Sequence, residues 1–272
     1  MQAINNLYKI IILQIPRKLV GIVSGILLVV SIVLGETAVA DNDGILKVAV
    51  ASNFLLPMKH LKAEFEKKSP LKIKITAAST AKLYAQILNG APYDVFLAAD
   101  RLTPQKLLAK SMARHQDVFQ YVQGQLVLWS VKSRFNSSEH LRRRLMTGDF
   151  DRLALANPKT APYGRAAMQV LRSFSINVKR TRLILGESVG QAYQFTGSGN
   201  VDMGFVALSQ IKGRQLKAQG QYWVLPSDTY LPIQQHGVVL RGDQQHVDAQ
   251  TFVRYLKSPE VQTMLRQRFG YL

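Results

Sequence analysis

Apolar and polar positions along the chain follow two alternating rhythms. Leu46-Lys47-Val48-Ala49-Val50-Ala51 predicts a strand entering a sheet. Leu55, Met58, Leu61 and Phe65 then recur at helical spacing, with lysines and glutamates between them. Leu71-Lys72-Ile73-Lys74-Ile75 alternates with period two and predicts a second strand, followed by a helix from about Lys82 to Leu88 that Asn89-Gly90 and Pro92 end. Val95-Phe96-Leu97-Ala98-Ala99 is a continuous apolar run, the pattern of a strand buried on both faces. Thr103-Pro104 predicts a capped helix start with proline at its first position.

The same alternation continues past Gly124. Strands are predicted at Gln125–Trp129, Leu153–Ala156, Arg182–Leu185, Met203–Leu208 and Gly237–Leu240. Ala167, Val170, Leu171 and Phe174 mark one intervening helix, Ala192 and Phe195 another, and Phe252 through Leu256 opens a terminal one. Repeated strand–helix units predict parallel sheets covered by helices.

The first forty residues follow a different pattern. Lys9, Arg17 and Lys18 precede an uncharged apolar stretch from Leu19 to Leu34, and Ala38-Val39-Ala40 supplies small residues at a cleavage point. That is the order of a secretory signal peptide, residues 1–40, cut after Ala40 to leave Asp41 as the new N-terminus. The alternative is a retained membrane anchor, against which stand the stretch's modest length and Gly21, Ser24 and Gly25 within it. The rest, roughly 230 residues, can bury one large core or two smaller ones. The chain has no cysteine, so in an oxidising space it relies on burial alone.

The net charge is +18, and +16 once Lys9, Arg17, Lys18 and Glu36 are removed. The basic residues are spread out, Arg142-Arg143-Arg144 being the densest run, and no nucleic-acid motif accompanies them. A field that draws anions inward fits better than a nucleic-acid partner. His60, His115, His140, His236 and His246 are scattered without metal-ligand spacing, so no metal cation or cofactor is expected. No nucleophile elbow or phosphate-binding loop appears, Gly197-Ser198-Gly199-Asn200 is a turn by composition, and Trp129 and Trp223 are expected in core or interface. These absences weigh against an enzyme and leave a binding protein, or a scaffold that uses its basic surface.

The chemistry lies between strand and helix. Ser52-Asn53 follows the first strand and Ser79-Thr80 the second; Pro162-Tyr163-Gly164 and Glu187-Ser188-Val189 follow two strands of the second half. A helix start leaves N–H groups without an internal partner, and with the helix dipole these attract negative charge. Singly, Ser, Thr and Asn at such positions are ordinary N-caps. Ligands of open α/β sheets, however, bind beyond the carboxyl ends of the strands, where four such starts in two lobes could share one oxyanion. Lys82, Lys159 and Arg165 are expected as rim charges, and Glu187 as the cap of its helix.

Ala49-Val50-Ala51-Ser52-Asn53-Phe54, Ala78-Ser79-Thr80-Ala81-Lys82-Leu83-Tyr84-Ala85-Gln86-Ile87 and Asn89-Gly90-Ala91-Pro92-Tyr93-Asp94-Val95-Phe96-Leu97-Ala98-Ala99-Asp100 resemble the molybdate-binding proteins of ABC transporters. Asn157-Pro158, Ala161-Pro162-Tyr163-Gly164, Glu187-Ser188-Val189-Gly190-Gln191-Ala192 and Gly204-Phe205-Val206-Ala207-Leu208 agree. The resemblance spans nearly all of the chain after the leader, in order. It implies an α/β fold of the type II periplasmic-binding-protein kind, two lobes joined by a two-strand hinge. Residues 41–122 and 231–272 would form the first lobe and 123–230 the second, with hinges near Tyr121–Gln125 and Pro226–Pro232. It implies a periplasmic monomer that carries molybdate or tungstate to a membrane permease, with sulfate or another small oxyanion as the alternative cargo. The site residues it carries over are Ser52, Asn53, Thr80 and the backbone amides of Tyr163 and Val189, with Ser79 as a sixth. Relatives often have glycine-serine-serine-glycine where this chain has Ala78-Ser79-Thr80-Ala81, so loop freedom and cavity size differ here.

Overall fold

The computed structural model describes residues 44–177, 182–213, 220–240 and 246–272. The expected signal peptide and its cleavage after Ala40 lie outside the described residues.

The chain builds β1 (Ile45–Ala51), a single 3₁₀ turn (Ser52–Phe54), α1 (Leu55–Lys68), β2 (Lys72–Ala78), α2 (Thr80–Leu88), β3 (Val95–Leu97), α3 (Leu102–Ala109) and β4 (Val118–Gly124). One residue later it enters β5 (Leu126–Ser130), followed by α4 (Ser138–Thr147), β6 (Arg152–Ala156), α5 (Pro162–Ser173), β7 (Arg182–Gly186), α6 (Val189–Gly197), β8 (Met203–Ala207), α7 (Leu208–Lys212) and β9 (Gln221–Val224). It returns through β10 (Ile233–Val239) to α8 (His246–Leu256) and α9 (Pro259–Phe269). One sheet has the order β2-β1-β3-β10-β4, the other β7-β6-β8-β5-β9. Each sheet with its helices is one lobe, and the chain crosses at Gln125 and again between Val224 and Ile233.

The sheets are mixed, not parallel as the strand–helix alternation predicts. β1 runs parallel to β2 and β3, and β6 parallel to β7 and β8. β10 is antiparallel to β3 and β4, and β5 to β8 and β9. The exception follows from the crossings. A strand that has just entered a lobe must run away from the cleft, opposite to the strands whose helices begin there.

Each sheet is buried on both faces. In the first lobe Leu46, Val48 and Val50 pack with Met58, Leu61 and Phe65 of α1 and with Phe252, Leu265 and Phe269. Ala49, Phe96 and Val238 pack on the other side against Leu83, Ile87 and Leu107. In the second lobe Leu128, Leu153, Leu155 and Phe205 meet Val170 and Leu171 of α5. Ala51, Ala99 and Ile233 of the first lobe join that second core, so the lobes are in apolar contact behind the cleft. Trp129 is buried and stacks on Tyr193 at 4.7 Å, and Trp223 stacks on Phe174 at 5.9 Å.

Two local expectations change, and one helix was not predicted. Thr103 lies inside α3, and the Asp100 carboxylate accepts the Thr103 N–H at 2.8 Å. Phe252–Leu256 closes α8, and a separate α9 starts at Pro259, where the Ser258 hydroxyl accepts the Val261 N–H at 3.3 Å. Arg142–Arg144 lie on α4, a mostly polar helix that buries only Leu141 and Leu145 and so carries little apolar periodicity.

Candidate functional site

β1, β2, β6 and β7 all end toward the cleft, and each is followed there by a helix start. Two hydrogen bonds cross the cleft between these starts. Gly190 N–H of α6 donates to Ser52 Oγ at 3.1 Å, and Ala81 N–H of α2 donates to Thr160 O, just before α5, at 3.2 Å. α6 approaches Ser52 closely at Gly190, where a Cβ would lie a tight 3.1 Å from Ser52 Cβ.

The first turns show which donors remain. In α6, Gly190 is taken by Ser52, and Gln191 N–H by the Ser188 hydroxyl at 3.3 Å. Val189, the first helical residue, keeps an amide with no protein acceptor among the described residues. In α5, Pro162 has no N–H and Gly164 N–H goes to Ala161 O at 3.0 Å, which leaves the amide of Tyr163. In α2, Thr80 Oγ1 accepts from Ala99 N–H at 3.1 Å, so its own proton is free to be donated. The same holds for Ser52 Oγ, an acceptor toward Gly190. Ser79 precedes the helix in extended backbone, and its hydroxyl does not cap α2. Ser79, Thr80, Asn53, Tyr163 and Val189 are buried and Ser52 half-buried.

The ionic groups sit at the edge. Arg165 reaches across the cleft to Asp100 at 2.6 Å, and exposed Lys82 faces exposed Glu187 at 3.5 Å. Lys159 is exposed. Glu187 does not cap α6: Ser188 does, and Gln191 Oε1 reaches back to accept Glu187 N–H at 2.6 Å. A cavity of about 270 Å³ opens beside the hinge between Asp100, Pro162, Arg165 and Pro232, adjoining the donor set without including it. No group of three or more candidate metal-ligating side chains occurs among the described residues.

A buried polar network behind the donors was not legible in the sequence. Gln235 on β10, fully buried, accepts from Asn53 Nδ2 at 2.8 Å and from Tyr121 OH at 2.9 Å, and donates from Nε2 to Tyr163 OH at 3.2 Å. Ser209 of the second lobe donates to Asn53 O at 2.9 Å, and Tyr271 OH donates to the same oxygen at 3.2 Å. Burial, followed by the neighbouring phenols, pushes Tyr163 ionisation well above the ordinary tyrosine value, so this phenol stays protonated. A glutamine between Gln234 and His236 in β10 gives no periodicity signal of such a role. Only its burial in the folded chain does.

A family model for bacterial extracellular solute-binding proteins matches residues 46–272. The molybdate-binding protein ModA of Azotobacter vinelandii is 40% identical over 245 residues, 90% of this chain and 96% of that protein. That of Rhodobacter capsulatus is 33% identical over 261 residues, 95% and 98% of the two chains. The solved structure of the Azotobacter vinelandii periplasmic molybdate-binding protein superposes with a TM-score of 0.78 at 36% identity, covering 84% of this chain and 98% of that one.

Proposed function

The chain belongs to the bacterial extracellular solute-binding proteins, and from that premise we propose that it captures molybdate, or tungstate, and delivers it to the membrane permease of an ABC transporter. It performs no covalent chemistry on its cargo. The observation that carries this reading is the set of uncommitted donors at helix starts on both sides of one cleft, Ser52 and Thr80 facing Tyr163 and Val189. The relatives' printed function supports the choice of anion.

In this reading Ser52, Ser79 and Thr80 donate from side chains of the first lobe, and Tyr163 and Val189 from backbone amides of the second. Asn53 joins them only if its amide, whose Nδ2 is held by Gln235, turns over. A dianion stripped of water needs a hydrogen bond at every oxygen. Each bond to a charged partner contributes roughly 1.5–3 kcal/mol net, so half a dozen offset the loss of mobility and leave tight binding. Neither lobe alone surrounds a tetrahedron, so the anion favours the closed arrangement, and can do so only by its differential affinity for it. The hinges are the crossings at Gln125 and residues 225–232. Opening there by the permease splits the donor set and releases the cargo.

A donors-only site also discriminates. Hydrogen phosphate carries a proton that needs an acceptor, whereas molybdate, tungstate and sulfate do not. Calorimetric competition of molybdate with tungstate, sulfate and phosphate tests the proposal. The expected order has molybdate and tungstate tight at one site and phosphate weakest. Absence of heat with molybdate, or tighter binding of sulfate, would overturn it.

A further inference from the structure

The network behind the donors contains one atom that does not fit an anion site. Asn53 is 1% exposed, and its Oδ1 has no hydrogen-bond partner among the described residues. An orphaned acceptor is costly to bury, and it would repel an oxyanion beside it. The cause is visible in the partners. Asn53 Nδ2 is committed to Gln235 Oε1 at 2.8 Å and lies 3.4 Å from Tyr271 OH, so the amide presents its oxygen elsewhere.

The two amides can exchange roles without any heavy-atom position changing. If both turn over, Gln235 Nε2 donates to Asn53 Oδ1 and to the oxygen of Tyr121, whose single proton then goes to Ala98 O at 3.1 Å. Gln235 Oε1 then accepts from Tyr163 OH, which lies 3.2 Å from the present amide nitrogen. Tyr271 OH donates to Asn53 O at 3.2 Å in either case. Every partner has the right donor or acceptor character in the exchanged arrangement. The difference falls on one group: the unclaimed end of Asn53 becomes an N–H₂ donor instead of a bare oxygen.

We infer that Gln235 is a positioning residue for the anion site, its amide turning over together with that of Asn53 so that Asn53 Nδ2 is presented to an oxyanion oxygen. This rests on the oxyanion reading above and adds to it a residue that never touches the ligand. Gln235 turns with Asn53 when the hydrogen-bonding sign of the site changes, and through Tyr163 OH it ties that change to the helix whose amide serves the second lobe. Asparagine alone would place either end toward the anion. Glutamine behind it can pair with Asn53 in either orientation, so the two amides can turn over together. With an oxyanion bound, only the donor orientation gives the free end of Asn53 a partner.

The experiment combines calorimetry with molybdate and nuclear magnetic resonance of the ¹⁵N-labelled chain from Asp41 onward. Gln235→Met keeps the volume and removes the amide. It is expected to weaken molybdate binding about tenfold, the scale of one hydrogen bond to a charged group. In the Asn53→Ala background the same change should cost less than about twofold, because the group it positions is gone. A loss of equal size in both backgrounds is what a merely structural role produces, and it would overturn the inference. So would Gln235→Met binding like the parent. If the variants do not fold, the parent still decides: the assigned side-chain N–H₂ resonances of Asn53 and Gln235 should both shift on adding molybdate. One-site binding with the Asn53 resonances unmoved overturns this inference and leaves the molybdate reading standing. A parent that gives no heat with molybdate overturns both.

Discussion

Gly124 is the last residue of β4, immediately before the chain crosses between lobes, and adding one methyl group there tests whether closure and binding are linked. A Cβ at this position would lie 2.1 Å from Tyr163 Oη, 2.6 Å from Gln235 Nε2 and 3.0 Å from Tyr163 Cζ. All three distances are well inside the ~3.5 Å at which non-bonded contacts become favourable. Tyr163 stands on α5 of the second lobe, whereas Gly124 and Gln235 belong to the first sheet. The overlap with Tyr163 therefore falls on the arrangement in which the lobes are together, whereas that with the end of the Gln235 side chain stays within the first lobe. Overpacking of this kind costs about 1–3 kcal/mol, and if the open form escapes it the whole cost appears as lost affinity, roughly 5–150-fold. Calorimetry of Gly124→Ala with molybdate should show one-site binding weakened by at least about fivefold. Thermal unfolding of the ligand-free variant should change little. Tyr163→Leu removes the phenol but keeps the backbone N–H, so adding Gly124→Ala to it should cost clearly less than it costs the parent, only the contact with Gln235 remaining. If Gly124→Ala binds like the parent, or weakens Tyr163→Leu as much as it weakens the parent, the link between closure and binding through this contact is wrong.

Three other perturbations address different parts of the molecule. Thr80→Val removes a hydroxyl whose oxygen holds Ala99 N–H, and titration should show a loss of roughly 1–3 kcal/mol of affinity without loss of fold. Arg165→Ala breaks the pair that spans the cleft to Asp100; since Arg165 is partly exposed, the expected loss is below about 1 kcal/mol and should vanish in high salt. Asp202 lies far from the cleft, ahead of β8. Burial pushes its carboxyl up, but hydrogen bonds from Lys132 and the amides of Arg152 and Asp151, with the charge of Arg134, outweigh burial and hold the pKa at about 2. The folded value is depressed, so its contribution is present above the unfolded value and is lost as pH falls through about 2. Asp202→Asn should cost about 2 kcal/mol in denaturant unfolding at neutral pH and flatten the fall in stability between about pH 4 and pH 2.

The sequence by itself determined the alternation of strands and helices, because period-two and helical spacing are local properties that burial then satisfies. β1, α1, β2 and α2 lie close to where the apolar pattern places them. It also marked the helix starts at Ser52, Thr80, Tyr163 and Val189, because the first N–H groups of a helix have no partner within it and the change from strand to helix pattern shows where each helix begins. Tertiary structure alone decided the rest. Strand direction in β5 and β10 depends on where the chain crosses between lobes, which no local window contains. Which first-turn amides stay free depends on partners far away in the chain: Ser52 takes Gly190 across 138 positions, and Thr160 takes Ala81. Gln235 is the clearest case. Set between Gln234 and His236 it carries no pattern that marks it as buried, and it acquires a role only because folding surrounds it with Asn53, Tyr121 and Tyr163 and excludes water. Periodicity reports which face is buried. It is silent on what a buried polar group meets there.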